Sequence, residues 1–219
     1  MATYSIKEMF YSLQGEGAHT GRPAIFLRFA GCNLWNGREA DRADAVCNFC
    51  DTDFIGVDGQ NGGKFKTASS LVAAVVSLWP KDAEEPPYVI CTGGEPALQL
   101  DDALVTAFQQ AGVVIGIETN GTLPLPEGID WICVSPKGAS EVVVSHCDEL
   151  KLVYPQPEAM PERFDAITAK VRYLSPKNDP RQESIIVSEV DSTHACIQYC
   201  LANPKWRLCL QTHKLLGID

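Results

Sequence analysis

The chain has 219 residues with 45% apolar content and no long charged tail, which fits one globular domain with a sizeable core rather than disorder. Its net charge of −10 argues against a nucleic-acid binder, which carries a basic excess. The amino terminus, MATYSIKEMFYSLQGEG, lacks the charged and apolar regions of a signal peptide, and no run approaches the roughly 18 apolar residues of a membrane span, so a cytoplasmic protein without membrane contact is expected.

One event recurs along the chain: a short apolar run ends, and a Gly-, Pro- or polar-rich cluster follows. Ala24–Ala30 runs into GCN, Tyr88–Cys91 into TGGEP, and Val113–Ile117 into ETNG. Trp131–Val134 runs into SPK, Leu150–Tyr154 into PQP, Val171–Leu174 into SPKND, and Trp206–Leu210 into QTHK. Helical stretches intervene. Ser69–Trp79 stops at Pro80, Leu100–Ala111 has an acidic first turn and Gly112 behind it, Pro161–Ala169 is a weaker helix, and Asp191–Leu201 opens on a good cap.

Strand followed by helix, repeated, implies a parallel sheet with right-handed crossovers. The run count falls short of a full eight-strand barrel, which takes roughly 250 residues. The expected architecture is α/β: an incomplete, TIM-like barrel of about six parallel strands with reduced helices. In such folds chemistry sits at the carboxyl ends of the strands, which would bring Cys32, Glu95, Glu118, Lys137, Lys177 and His213 to one rim.

Nine cysteines in a reducing compartment are thiols, metal ligands or core residues rather than disulfides. Cys47 and Cys50 form a CxxC pair, and Cys32 stands upstream across a charged segment. A lone CxxC is weak; it reads equally as a core pair, a redox motif or half a zinc site. Asp51 and Asp53 disfavour a redox thiolate, and a structural zinc site wants four ligands. Cys91, Cys133 and Cys209 fall inside apolar runs and read as packing residues. Three thiolates without a fourth suit an iron–sulfur cube with one iron open. The CTGGEP segment alone reads as a strand-to-helix turn, although a Gly pair also lets backbone approach a ligand.

Together, three cysteines after one strand and GGEP after another resemble the radical S-adenosylmethionine superfamily. The usual spacing there is CxxxCxxC, whereas the first gap here is fourteen residues. FYSLQGEG (Phe10–Gly17), GRPAIFLRFAG (Gly21–Gly31), CDTDF (Cys50–Phe54), ETNG (Glu118–Gly121), WICVSPK (Trp131–Lys137) and QTHK (Gln211–Lys214) resemble the 7-carboxy-7-deazaguanine synthase family, in order and over nearly the whole chain.

The resemblance implies three cofactors: a [4Fe–4S] cluster on Cys32, Cys47 and Cys50, S-adenosyl-L-methionine on the open iron, and Mg²⁺ on the hydroxyl of Thr52. It implies S-adenosylmethionine contacts from Phe49, Cys50, Asp51, Gly94, Ser135, Pro136 and Lys137, with looser matches at Ser175, Pro176, Lys177 and Asn178. Leu13, Gln14 and Gly15 would line a pterin, Arg28 would hold its carboxylate, and Thr92, His213 and the terminal Asp219 would touch it. Read without the family, Thr52 is a capping threonine, Arg28 a surface ion pair, and His213 a satisfied histidine. Arg28 does alternate with Leu27 and Phe29, so it projects to the opposite face from them.

The implied reaction converts 6-carboxy-5,6,7,8-tetrahydropterin to 7-carboxy-7-deazaguanine with loss of ammonia, for queuosine or other deazapurines. The family further suggests a homodimer and a flavodoxin-like electron donor. The expected organisation is one domain over residues 1–219, with a cluster-loop insertion at about 33–46 and a short helix around Arg38–Ala45 lying over the cluster. Two alternatives stay open: a radical activase of a partner protein, and a non-enzymatic zinc or iron–sulfur module.

Overall fold

The computed structural model describes residues 3–177 and 191–218. In chain order its strands are β1 (Tyr4–Leu13), β2 (Pro23–Phe29), β3 (Gly63–Phe65), β4 (Tyr88–Gly93), β5 (Val114–Thr119), β6 (Trp131–Val134), β7 (His146–Tyr154), β8 (Thr168–Pro176) and β9 (Arg207–Leu208). They form one sheet in the order β3-β1-β2-β4-β5-β6-β7-β8-β9. From β2 to β9 every pairing is parallel. β1 runs antiparallel to β2, and β3 antiparallel to β1. The sheet is open, with β3 and β9 at its edges.

Helices follow their caps. Thr67 accepts the Ser70 N–H ahead of α1 (Ala68–Val76), Asp101 the Leu104 N–H ahead of α2 (Asp102–Gln110), and Asp191 the Thr193 N–H ahead of α3 (Ser192–Ala202). A five-residue α4 (Thr212–Leu216) ends the described chain.

Strand alternation divides the sheet into two faces. Ile25, Leu27, Phe29, Val89, Cys91, Ile115 and Ile117 pack in one core with Leu71, Val75, Leu104 and Phe108 of α1 and α2. Leu150, Leu152 and Leu174 pack in a second core with Cys196 of α3 and with Trp206. The intervening strand residues point the other way, and they build the site.

Four expectations change here. Among the described residues the parallel run has seven strands, one for each apolar run read in the sequence and one more than the expected barrel of about six, and the whole sheet has nine. β1 goes unread in the sequence because a register shift between Ile6 and Glu8 breaks its period-2 pattern. β3 is a three-residue edge strand, too short for any period to emerge. Pro161–Ala169 is not a helix: a 3-10 turn over Pro161–Phe164 gives way to β8 at Thr168, where the ladder to β7 pairs Thr168 with His146.

Asp101 couples two layers. One carboxylate oxygen accepts both the Leu104 N–H at 2.9 Å and the Tyr4 hydroxyl at 2.8 Å. Burial and the adjacent carboxylate push the Tyr4 hydroxyl up to about 12. Asp101→Ala should cost about 1–2 kcal/mol in urea unfolding, while Asp101→Asn, an equally good cap, recovers most of it. An unchanged midpoint in the alanine variant would show that the shared oxygen contributes nothing.

Candidate active site

The residues that turn away from the helices converge. Arg28 of β2 lies opposite Thr92 of β4 in register, and Glu118 of β5 opposite Cys133 of β6, which pairs in turn with Glu149 of β7. Two residues further along β7 is Lys151. With the loops beyond the strand ends, this face lines a cavity of about 420 Å³, within the range of small-molecule sites. The cavity sits at the carboxyl ends of the parallel strands, as expected of open α/β sheets.

Cys32, Cys47 and Cys50 all line it. Cys32 follows β2 directly, and the other two return on the loop after the insertion. The two neighbouring thiols push each other's ionisation apart: Cys50 is drawn down to about 6, against burial, and Cys47 is pushed up. Burial raises Cys32. Among the described residues no group of three or more His, Cys, Asp or Glu side chains converges on a single-ion site. The thiols share a wall without meeting at one point.

A charge network forms the floor. Lys151, 4% exposed, donates to Glu16 Oε2 at 2.7 Å and to Glu118 Oε2 at 2.9 Å. Gln14 Nε2 donates to Glu118 Oε1, and Gln211 Nε2 to Glu16 Oε1. Burial opposes ionisation of Glu16, but the Lys151 ammonium and these hydrogen bonds prevail and hold it at about 2. Arg28 differs. Its Nε is buried without a hydrogen-bond partner and lies 3.3 Å from Glu8 Oε1, near enough for attraction but misaligned for a hydrogen bond.

Of the residues expected at the site, Leu13, Gln14, Gly15, Arg28, Thr92, Thr52 and His213 line the cavity, as do Phe49, Asp51, Gly94, Ser135, Lys137, Ser175 and Pro176. Pro136 and Lys177 do not line it; the Lys177 ammonium lies 5.0 Å from the Phe49 ring centre, beside the mouth. Asn178 and Asp219 fall outside the described residues. The expected helix over the insertion is a 3-10 turn at Glu39–Asp44. Cys91, Cys133 and Cys209 are buried, as read; Cys209 also accepts the Gly17 N–H at 3.1 Å.

Glu95 is on the rim in sequence but not in the cavity. Its carboxylate accepts the Ala97 and Asn120 N–H groups and the Thr119 hydroxyl, leaving it 1% exposed and committed to the turn. The Gly pair before it serves backbone packing as well. A Cβ on Gly94 would collide with the Gly31 carbonyl, which accepts the Glu95 N–H at 2.9 Å. Glu16 and Lys151 carry no sequence signal for their role: one sits in a motif without an assigned partner, the other in an apolar run. A lysine in the pattern LKLVY, facing opposite to its leucines, is the one available hint.

Three thiols, no fourth sulfur among the described residues on the same wall and a pocket at the strand ends fit the radical S-adenosylmethionine class that the motifs resemble. No family model matches the chain. Full-length relatives do. The 7-carboxy-7-deazaguanine synthases of Caulobacter vibrioides and Bordetella pertussis are each 54% identical, over 99% and 98% of this chain and 99% of theirs. The crystal structure of QueE from Escherichia coli superposes with a TM-score of 0.69 at 27% identity, over 95% of this chain and 94% of that one. The chain belongs to the 7-carboxy-7-deazaguanine synthase family.

A carboxyl at about 2 in the fold, against 4.5 outside it, adds stability that is full above pH 4.5 and is lost as pH falls toward 2. Glu16→Gln should therefore flatten that acid limb in a pH series of urea unfolding. Lys151→Met strands two carboxylates and should cost about 3–5 kcal/mol at pH 7. A wild-type acid limb in the glutamine variant would mean that the network does not hold Glu16 ionised.

Proposed function

We propose that this chain converts 6-carboxy-5,6,7,8-tetrahydropterin to 7-carboxy-7-deazaguanine with loss of ammonia, as a radical S-adenosylmethionine enzyme of deazapurine biosynthesis. The observation that carries the reading is convergence: the three thiols and a buried Arg28 Nε lacking a hydrogen-bond partner line one cavity. That Nε is attracted to Glu8 but makes no hydrogen bond, which leaves a buried donor free for a further anion, and a substrate carboxylate is such an anion.

The donor set fits the groups. Three thiols with no fourth suit a [4Fe–4S] cluster with one open iron. Cys32, Cys47 and Cys50 would hold it, and cluster and S-adenosylmethionine, when bound, would supply hydrogen-abstracting radical chemistry. Thr52 would offer its hydroxyl to Mg²⁺, a hard cation that prefers oxygen ligands. Phe49, Asp51, Gly94 and Ser135–Lys137 would hold S-adenosylmethionine, with Ser175–Lys177 beside it. Lys137 donates to the Ser135 carbonyl and hydroxyl, so its ammonium is poised for a further, anionic acceptor.

Arg28 and Thr92 would orient the pterin from neighbouring strands, with Leu13–Gly15 against its rings. His213 would close one side, with Asp219 at the end of the chain. Burial lowers the His213 ring below its usual range, which keeps it neutral at pH 7 as a hydrogen-bonding wall. The protein's work is placement and exclusion of water.

The same reading takes the chain as one domain with an insertion at about 33–46. It takes the open sheet as a partial TIM-like barrel, and the protein as a cytoplasmic homodimer reduced by a flavodoxin-like donor. No helix among the described residues is long and apolar enough to cross a membrane.

Anaerobic reconstitution followed by reductant, S-adenosylmethionine, Mg²⁺ and the carboxytetrahydropterin should give a product whose mass reports ammonia loss. An intact [4Fe–4S] protein that releases no ammonia would defeat the proposal. Thr52→Ala should weaken the Mg²⁺ dependence of turnover; an unchanged dependence would remove that residue from the metal site.

A further inference from the structure

The insertion between Cys32 and Cys47 carries an arginine held on every side. The Arg42 guanidinium lies 4.0 Å over the ring of Trp35, which is 8% exposed and packs edge-on against Phe54. Its Nε and Nη2 clasp the Glu39 carboxylate. Its Nη1 donates to the Cys50 carbonyl at 2.8 Å and to the Asn48 carbonyl at 3.3 Å. The donors of one planar fork thus tie the 3-10 turn, the indole and the loop bearing two thiols into one unit. The Cys47 and Cys50 sulfurs lie within Coulombic reach of the guanidinium.

Neighbouring acids offset that field only in part. Glu39 lies on the solvent side with its side chain 74% exposed, so water screens it. Asp51, the nearest acid on the cysteine loop, is paired with Lys214. Lys137, on the cavity side, adds a second positive charge within reach of the same sulfurs.

We propose that Arg42 is a positioning residue for the iron–sulfur cluster. It fixes the Cys47–Cys50 turn in ligand geometry and sets a permanent positive charge beside the thiolates. The inference rests on the cluster reading above. Partners outside the ligand shell set ligand orientation, and their loss typically costs roughly 10–100-fold in metal affinity. Net charge near a cluster also sets its reduction potential, so a fixed cation makes the reduced state easier to reach. Lysine cannot replace the fork, because a single ammonium cannot hold a carboxylate and two carbonyls in one plane while stacked on an indole.

The test compares wild type, Arg42→Met and Arg42→Lys after anaerobic reconstitution. It measures iron and acid-labile sulfide per chain, the rate of iron loss to a chelator, and the midpoint potential in a dithionite titration. Arg42→Met should lose iron roughly 10-fold faster and titrate at a more negative potential. Arg42→Lys should lose iron faster yet keep a potential close to wild type, which separates geometry from charge. If Arg42→Met takes up no cluster, the lysine variant decides: iron loss at the wild-type rate overturns the proposal. A wild type that loads, with Arg42→Met matching it in both rate and potential, overturns the proposal alone. A wild type that takes up no iron and sulfide overturns the cluster reading and the proposal together.

Discussion

A buried ammonium holds this fold in its working shape. Lys151 sits in the middle of a parallel sheet, where an unpaired charge would cost several kcal/mol. Its two carboxylates come from distant places: Glu118 from β5, and Glu16 from the turn that follows β1 on the far side of the sheet. An open sheet has no ladder to join its edges. Here a loop makes the connection instead. The Glu16 turn reaches across the cavity to β7, Gly17 donates to Cys209 beyond β9, and Gly15 accepts the Thr212 N–H and hydroxyl at the start of α4. The cavity is therefore walled on the side where the strands leave a gap.

That bridge explains the glycines of the LQGEG segment. A Cβ at Gly15 would run into the His213 ring, and one at Gly17 into the Glu149 carboxylate, where φ is already +68°. The loop can lie this close to β7 and α4 only because it has no side chains at those two positions. Glu149 is held beneath it by the Ala18 N–H, and burial raises its carboxyl above the usual range. Two glutamates beside the same loop thus shift in opposite directions: Lys151 lowers Glu16 despite its burial, and burial raises Glu149.

What the sequence discloses follows the range of the forces involved. Caps and strand periods are local, so α1, α2, α3 and the parallel strands could be read within a few residues, and so could the outward face of Arg28. The bulge in β1 is also local, but it erases the period that would have revealed the strand. The thiols were legible as a set because the other motifs accompany them in order; among nine cysteines a lone CxxC would have stayed ambiguous. Lys151 with Glu16 was not, because a pair separated by 135 positions leaves no spacing to read. Glu95 shows the same limit: the CTGGEP turn could be read, but the Thr119 hydroxyl and the Asn120 N–H that occupy its carboxylate arrive from the next strand over.

The distribution of partners among the cavity's cations separates structure from recognition. Lys151 has two carboxylates and no unmet charge, so it belongs to the frame. Lys137 is held only by neutral oxygens, and Arg28 leaves a buried N–H without a hydrogen bond. Arg28 does have an acid at ion-pair distance, Glu8 at 3.3 Å, so what it lacks is a hydrogen bond rather than a counter-charge. An anionic ligand entering this cavity would find Arg28 on the strand face and Lys137 beside the thiols. The ion pairs that shape the cavity and the donors that face into it are therefore separate sets of residues.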